Sequence, residues 1–196
     1  ITDAQSLYCG NMMGNTAVQV TAKEVRLVDL AGFKQLGEWA PPAGVQITHA
    51  SCNSSQLVVA LGGGTVVYIE LNGRELREAG RAKLEHEVAC VNISPLVGND
   101  RAAVVAVGLW TDVSVRLLRL PTLNQVAQEL LGGTTIPRSV LFTSFEGIHY
   151  LLCGLGDGHL FTFVLDAVRC PYLKYLFLLL TFFRLQGTYQ LSNRKK

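Results

Sequence analysis

Four stretches of this chain repeat one pattern: an apolar run, a break of turn residues, then a second run in which apolar residues alternate. They read VQVTAKEVRLVDL from Val18, VVALGGGTVVYIEL from Val58, AVGLWTDVSVRLLRL from Ala106 and LLCGLGDGHLFTFVL from Leu151. The apolar residues before the last three breaks are Leu61, Val107 and Leu155, spaced by 46 and 48 positions. The first break, near Thr21 and Ala22, precedes the second by about 40. All-β repeats of this period with short turns predict a β-propeller, one four-stranded sheet to a repeat. A blade has two apolar faces and cannot bury both alone. The chain is therefore expected to form a stacked array, and arrays of this kind present surfaces to partners.

Strand signals run through Ser6–Asn11, Ala17–Thr21, Glu24–Leu30, Gln46–Cys52, Gln56–Leu61 and Thr65–Leu71. They continue through Leu76–Lys83, Val88–Ile93, Ala102–Gly108, Val113–Leu120, Val126–Leu130, Ser139–Phe145, Ile148–Gly154 and His159–Leu165. No sustained helical period occurs before Leu165, and Gly, Asn, Asp and Pro punctuate the gaps. Four strands to a blade give about three to four blades over residues 1–166, a partial propeller, since a complete one has about four to eight. An arc leaves a sheet face uncovered, which predicts marginal solubility in isolation. From 167 to 190 the pattern gives way to an irregular apolar segment, and 191–196 form a basic tail. The run KYLFLLLTFF is shorter than the roughly 20 apolar residues of a membrane span. It reads equally as a core strand, an interfacial segment or a non-native insertion.

Composition narrows the function classes. Only 16% of residues are charged and the net charge is +2, which suits strands buried between blades and gives no general attraction to nucleic acid. The start at Ile1, with no basic stretch or apolar core, predicts no signal peptide. The five cysteines, at 9, 52, 90, 153 and 170, include no CxxC pair. Cys9, Cys52, Cys90 and Cys153 lie in apolar runs and read as buried free thiols of a reducing compartment. Two Asn-x-Ser matches, at Asn53 and Asn92, are then incidental.

No motif points to catalysis, a cofactor or a metal. The glycine clusters lack the GxxxxGK[ST] pattern and none opens a helix, so they read as hairpin turns. His49, His86, His149 and His159 are dispersed. In Glu85-His86-Glu87 the alternation of a strand would send the two carboxylates to one face and the imidazole to the other, so the three do not converge. No GxSxG or HExxH occurs. The expected class is non-enzymatic.

Trp110 stands out. It lies in GLWTD, at a turn that neighbouring repeats build from GGGT and GDGH. A large aromatic there is either an exposed anchor for a partner or folds back over the propeller rim. Trp39, just before Pro41-Pro42, reads as a core or blade-edge residue. Arg116 and Arg119 have odd separation and cannot line one strand face, and the basic residues do not interleave with aromatics. Direct nucleic-acid binding is not expected.

Several longer motifs carry a resemblance: EHEVAC, GLWTD, IPRSV and LLCGLGDGHL, within a match over nearly all of residues 2–165. They resemble the large subunits of UV-damaged-DNA-binding proteins, most closely the plant type. Large subunits of the cleavage-and-polyadenylation and splicing complexes share the architecture but look less similar in these motifs. The resemblance implies part of the second of three propellers in an adaptor of a cullin-RING ubiquitin ligase. In such an adaptor the second propeller docks a type-4 cullin, and the other propellers hold WD-repeat substrate receptors. Damaged DNA is contacted mainly through a partner subunit, and the setting is nuclear, with a cytoplasmic share. The cullin-facing surface implied by the resemblance includes Trp110 and Glu87. The family joins the strand ending near Leu165 to the basic segment by a short turn, whereas this chain carries 167–190 there. The alternative class is an mRNA cleavage/polyadenylation or splicing subunit that binds RNA or protein.

Overall fold

The computed structural model describes residues 4–96, 101–132 and 135–165, together with the backbone of 178–184. Every regular element among them is a strand. The first blade is β1 (Ser6–Met12), β2 (Thr16–Thr21), β3 (Val25–Asp29) and β4 (Gln35–Trp39). The second is β5 (Ile47–Cys52), β6 (Gln56–Leu61), β7 (Thr65–Asn72) and β8 (Glu75–Lys83). The third is β9 (Val88–Asn92), β10 (Val104–Leu109), β11 (Ser114–Arg119) and β12 (Asn124–Leu130). The fourth is β13 (Pro137–Phe145), β14 (Ile148–Leu155), β15 (His159–Leu165) and β16 (Leu178–Arg184). Each blade is an antiparallel meander whose strands pair in chain order, and the first strands of successive blades lie side by side. This is a four-blade β-propeller architecture.

The period-2 alternation of each strand explains how the blades hold together. In β6, Leu57 and Val59 enter a core shared with Val18, Val20 and Leu27 of the first blade. Their neighbours Val58 and Ala60 enter a second core with Val105, Val107 and Leu118 of the third. In β10 the offset repeats: Val105 and Val107 face the second blade, while Val104 and Ala106 join Val140, Phe142, Leu151 and Phe161 of the fourth. Both β6 and β10 are buried along their whole length, as continuous apolar runs require. The outer strand β8 (ELREAGRAK) alternates exposed charge with half-buried positions, which discourages pairing at its free edge. All three cores lie between blades. Among the described residues none joins the fourth blade to the first, and the far flank of the first blade leaves Phe33 66% exposed.

Polar ties repeat at the inner strands. The Cys52 N–H donates to the Tyr8 hydroxyl (3.1 Å), the Ile93 N–H to Ser51 Oγ (3.1 Å) and the Phe142 N–H to Asn92 Oδ1 (3.2 Å). Each crosses from one blade to the one before. A fourth tie is buried deeper. Gln56, 1% exposed, accepts the Ala102 N–H at Oε1 (2.6 Å) and donates from Nε2 to Ala102 O (3.0 Å) and the Tyr68 hydroxyl (2.7 Å).

Fourteen of the sixteen strands follow the sequence expectation. The missed β4 (QLGEW) is an outer strand with little apolar content, and its Trp39 is half-buried with the indole N–H donating to Glu78 (3.2 Å). β16 falls inside the apolar run, where its backbone pairs with β15 and completes the fourth blade. The remainder of 167–190, and the basic tail, lie outside the described residues. The turn alignment also shifts. The strand residue matching Leu61 and Leu155 is Leu109 and not Val107, because β10 runs two residues further.

The cysteine expectation needs correcting. Cys90 and Cys153 are buried, but Cys52 is half-buried and Cys9 is exposed, because β1 turns it away from the core that takes Tyr8. Burial pushes the Cys90 thiol up to about 12 and raises Cys153 as well. Alkylation follows the thiolate. Brief iodoacetamide treatment of the native protein at pH 8, mapped by peptide mass, is expected to label Cys9 and spare Cys90 and Cys153 until denaturant is added. Equal labelling of the three would contradict the burial described.

Candidate protein-interaction rim

The turns between second and third strands, and the connections between blades, lie at one end of the propeller. They are clipped together by a repeated hydrogen bond. The Gly62 N–H donates to Gln46 O (2.9 Å), the Trp110 N–H to Glu87 O (3.0 Å) and the Gly156 N–H to Ile136 O (3.1 Å). In each, the first turn residue binds the stretch leading into its own blade. Trp110 thus occupies a place that glycine fills in the flanking blades, where no side chain has to be accommodated.

The rim around Trp110 is built from three loops. The indole N–H donates to Val88 O (3.2 Å), which lays the ring across the entry to β9, yet Trp110 remains 43% exposed. The nitrogen folds back onto the rim of its own blade and the ring stays half-exposed. Glu87 sits beside it, with Oε1 accepting the Gly63 N–H of the preceding blade (3.0 Å). Lys83 Nζ also bonds the Gly63 carbonyl. Residues 85 and 86 form a bend and Glu87 lies just before β9, so none of the three is in a strand and the alternation argument does not govern them. The two residues expected to meet a partner are brought together on one rim.

Sequence reasoning missed the group beneath them. Arg116, which strand spacing sets apart only as unable to share a face with Arg119, is 7% exposed. Its Nη2 reaches Asp112 Oδ2 (2.8 Å) and Glu85 Oε2 (3.5 Å), and Nη1 donates to Gln125 (3.2 Å). Asp112 also accepts from Ser114 Oγ (2.7 Å). Burial pushes the Asp112 carboxyl up, but the hydrogen bonds from Ser114 and Arg116 outweigh it and hold it below the usual carboxylate range. The available signal was the Asp-x-Ser-x-Arg spacing after the tryptophan, which becomes legible only once the turn is known to fold back.

Chemically, a half-exposed indole edged by carboxylates is an anchor with a polar border, the composition of an interface hot spot. Among the described residues no group of three or more His, Cys, Asp or Glu is placed to hold a metal, and no helix is long and apolar enough to cross a membrane.

Comparison with known proteins fits this architecture. The family model described as the RSE1/DDB1/CPSF1 second beta-propeller matches residues 1–196. DNA damage-binding protein 1 of Oryza sativa subsp. japonica is 46% identical over 164 residues, covering 83% of this chain and 15% of the relative. DNA damage-binding protein 1a of Arabidopsis thaliana is 46% identical over 168 residues, covering 85% of this chain and 15% of the relative. The chain thus spans a small part of the relatives it matches. Among solved structures, the Myceliophteria thermophila Cps50 (Swd1) β-propeller domain aligns with TM-score 0.65 at 14% identity, over 89% of this chain and 58% of that one. The computationally designed Ika4 protein aligns with TM-score 0.65 at 12% identity, over 84% and 93%. These two likenesses concern the fold alone. The chain belongs to the RSE1/DDB1/CPSF1 family, within its second β-propeller.

Proposed function

We propose that this chain is part of a non-enzymatic adaptor of a cullin-RING ubiquitin ligase, acting in the nucleus in DNA-damage repair and protein turnover. Its rim at Trp110 and Glu87 receives a type-4 cullin. WD-repeat substrate receptors attach through other propellers of the full-length protein, and nucleic acid is met only indirectly. The observation that carries this reading is Trp110, a half-exposed indole at a turn position that glycine holds in the flanking blades, with Glu87 clipped beside it. The names of the 46% identical relatives support a DNA-damage setting.

The test is titration of the chain against the N-terminal part of a type-4 cullin, with a single-stranded RNA oligonucleotide as the second arm. Saturable cullin binding is expected. RNA binding without cullin binding would replace this reading with that of an RNA-processing subunit. Glu87→Ala is expected to weaken the cullin complex by about 1 kcal/mol, roughly fivefold, as a polar neighbour of an anchor does. The same change frees the Gly63 N–H at a surface turn, so its melting point should move little.

A further inference from the structure

The turn that carries Trp110 departs from its neighbours in its backbone as well as its side chain. Between the flanking strands, the second and fourth blades use three residues, Gly62–Gly64 and Gly156–Gly158, whereas the third uses four, 110–113. The last residue of each has positive φ: Gly64 at 80°, Gly158 at 87° and Val113 at 46°. Glycine takes this left-handed conformation freely, but a β-branched residue does not. Among the described non-glycine residues with positive φ (Asn15, Phe33, Val113, Leu123 and Glu146), Val113 alone is β-branched. Such strain persists only where surrounding contacts over-determine the backbone, and it concentrates where geometry must be fixed for function.

Those contacts converge on the residue before Val113. Both carboxylate oxygens of Asp112 are bound, Oδ1 by the Ser114 hydroxyl (2.7 Å) and Oδ2 by the Arg116 guanidinium (2.8 Å). Arg116 is itself buried and reaches Glu85, two residues from Glu87, so one side chain braces both stretches of the rim. On the far side the Leu131 N–H grips the Val113 carbonyl (3.0 Å). Val113 is bracketed between Asp112 and Ser114, whose hydrogen bonds tie the backbone on either side of it. Burying an arginine is costly unless it is paired, so its placement under an otherwise ordinary hairpin calls for a reason.

We propose that Arg116 and Asp112 are positioning residues: their ion pair, with the Ser114 hydroxyl, forces Val113 into the left-handed conformation and thereby fixes the indole of Trp110 for a protein partner. This rests on the reading that Trp110 meets a partner, here the type-4 cullin. Asp112 acts through the backbone and does not touch the partner.

The experiment is a rescue. Asp112→Ala should weaken binding of the full chain to the N-terminal part of the cullin fivefold or more. Adding Val113→Gly to Asp112→Ala should recover most of that loss, because glycine adopts the left-handed turn without being forced. A partner-free readout runs in parallel on a Trp39→Phe background, where Trp110 is the sole tryptophan. Acrylamide quenching of its fluorescence should rise with Asp112→Ala and fall back with Val113→Gly added. Binding lost in Asp112→Ala and not recovered by the glycine would overturn the proposal and make Asp112 a direct contact. Unchanged binding and quenching in Asp112→Ala would overturn it as well. If Trp110→Ala binds the cullin like the wild type, the partner reading falls by itself, and the quenching series still decides whether the clamp sets the indole.

Discussion

Trp110→Ala is expected to weaken cullin binding by about 2 kcal/mol or more, roughly thirtyfold, with little loss of stability. The two halves of this expectation have separate causes. The position tolerates a small residue, since Gly62 and Gly156 fill it in the second and fourth blades with the same backbone hydrogen bond. The ring is 43% exposed, so removing it opens no sealed cavity. What disappears is a flat, half-exposed apolar surface and, with it, the indole N–H bond to Val88 O. Trp110→Phe should keep part of the affinity, losing that tie but retaining an aromatic face. Isothermal titration beside a thermal melt separates the two terms. Unchanged affinity would assign Trp110 to an idle surface, and a collapse in melting point would assign it to the fold.

The largest loss of stability is expected from Gln56→Ala, about 3–5 kcal/mol. Gln56 is fully buried and serves both backbone groups of Ala102, which belongs to the next blade. Truncation leaves the Ala102 N–H without its acceptor and the carbonyl without its donor, each at about 1–3 kcal/mol, and adds a small void. Tyr68 suffers less, because its hydroxyl still donates to Glu70 (2.7 Å). At about 2–4 °C per kcal/mol for a chain of this size, the melting point should fall by roughly 10 °C. A shift of a degree or two would mean that water satisfies Ala102 and that the second and third blades do not depend on this clasp.

The sequence carried the architecture well because a propeller is written in short-range terms. Apolar runs such as QLVVAL and VVAVGL, broken by Gly-rich turns at regular spacing, fix strands, meanders and blades without reference to distant contacts. It carried β4 poorly because an outer strand needs no apolar face, and QLGEW has almost none. Cys9 was misjudged for a related reason: alternation says that Tyr8 and Cys9 face opposite ways, but not which side of the first blade is covered. The rim divided similarly. Trp110 and Glu87 were reached from the residues and the resemblance, whereas Arg116 was dismissed on strand spacing. Its place beneath the rim depends on a turn that folds Asp112 back over β11 and holds Val113 in a left-handed conformation no propensity would assign. Tertiary clamps of this kind override local preference, so they are invisible until the backbone is known.

The clip between each turn and the stretch entering its own blade has a mechanical side. Force applied at Trp110 does not flex a free loop. It passes through the Glu87 carbonyl into the joint between the second and third blades, and through Gly63 into the neighbouring sheet. A cargo seated on that indole would be carried as on a bracket bolted across a seam, its bearing set by the angle between two sheets. At an attachment point built this way, stiffness counts as much as grip.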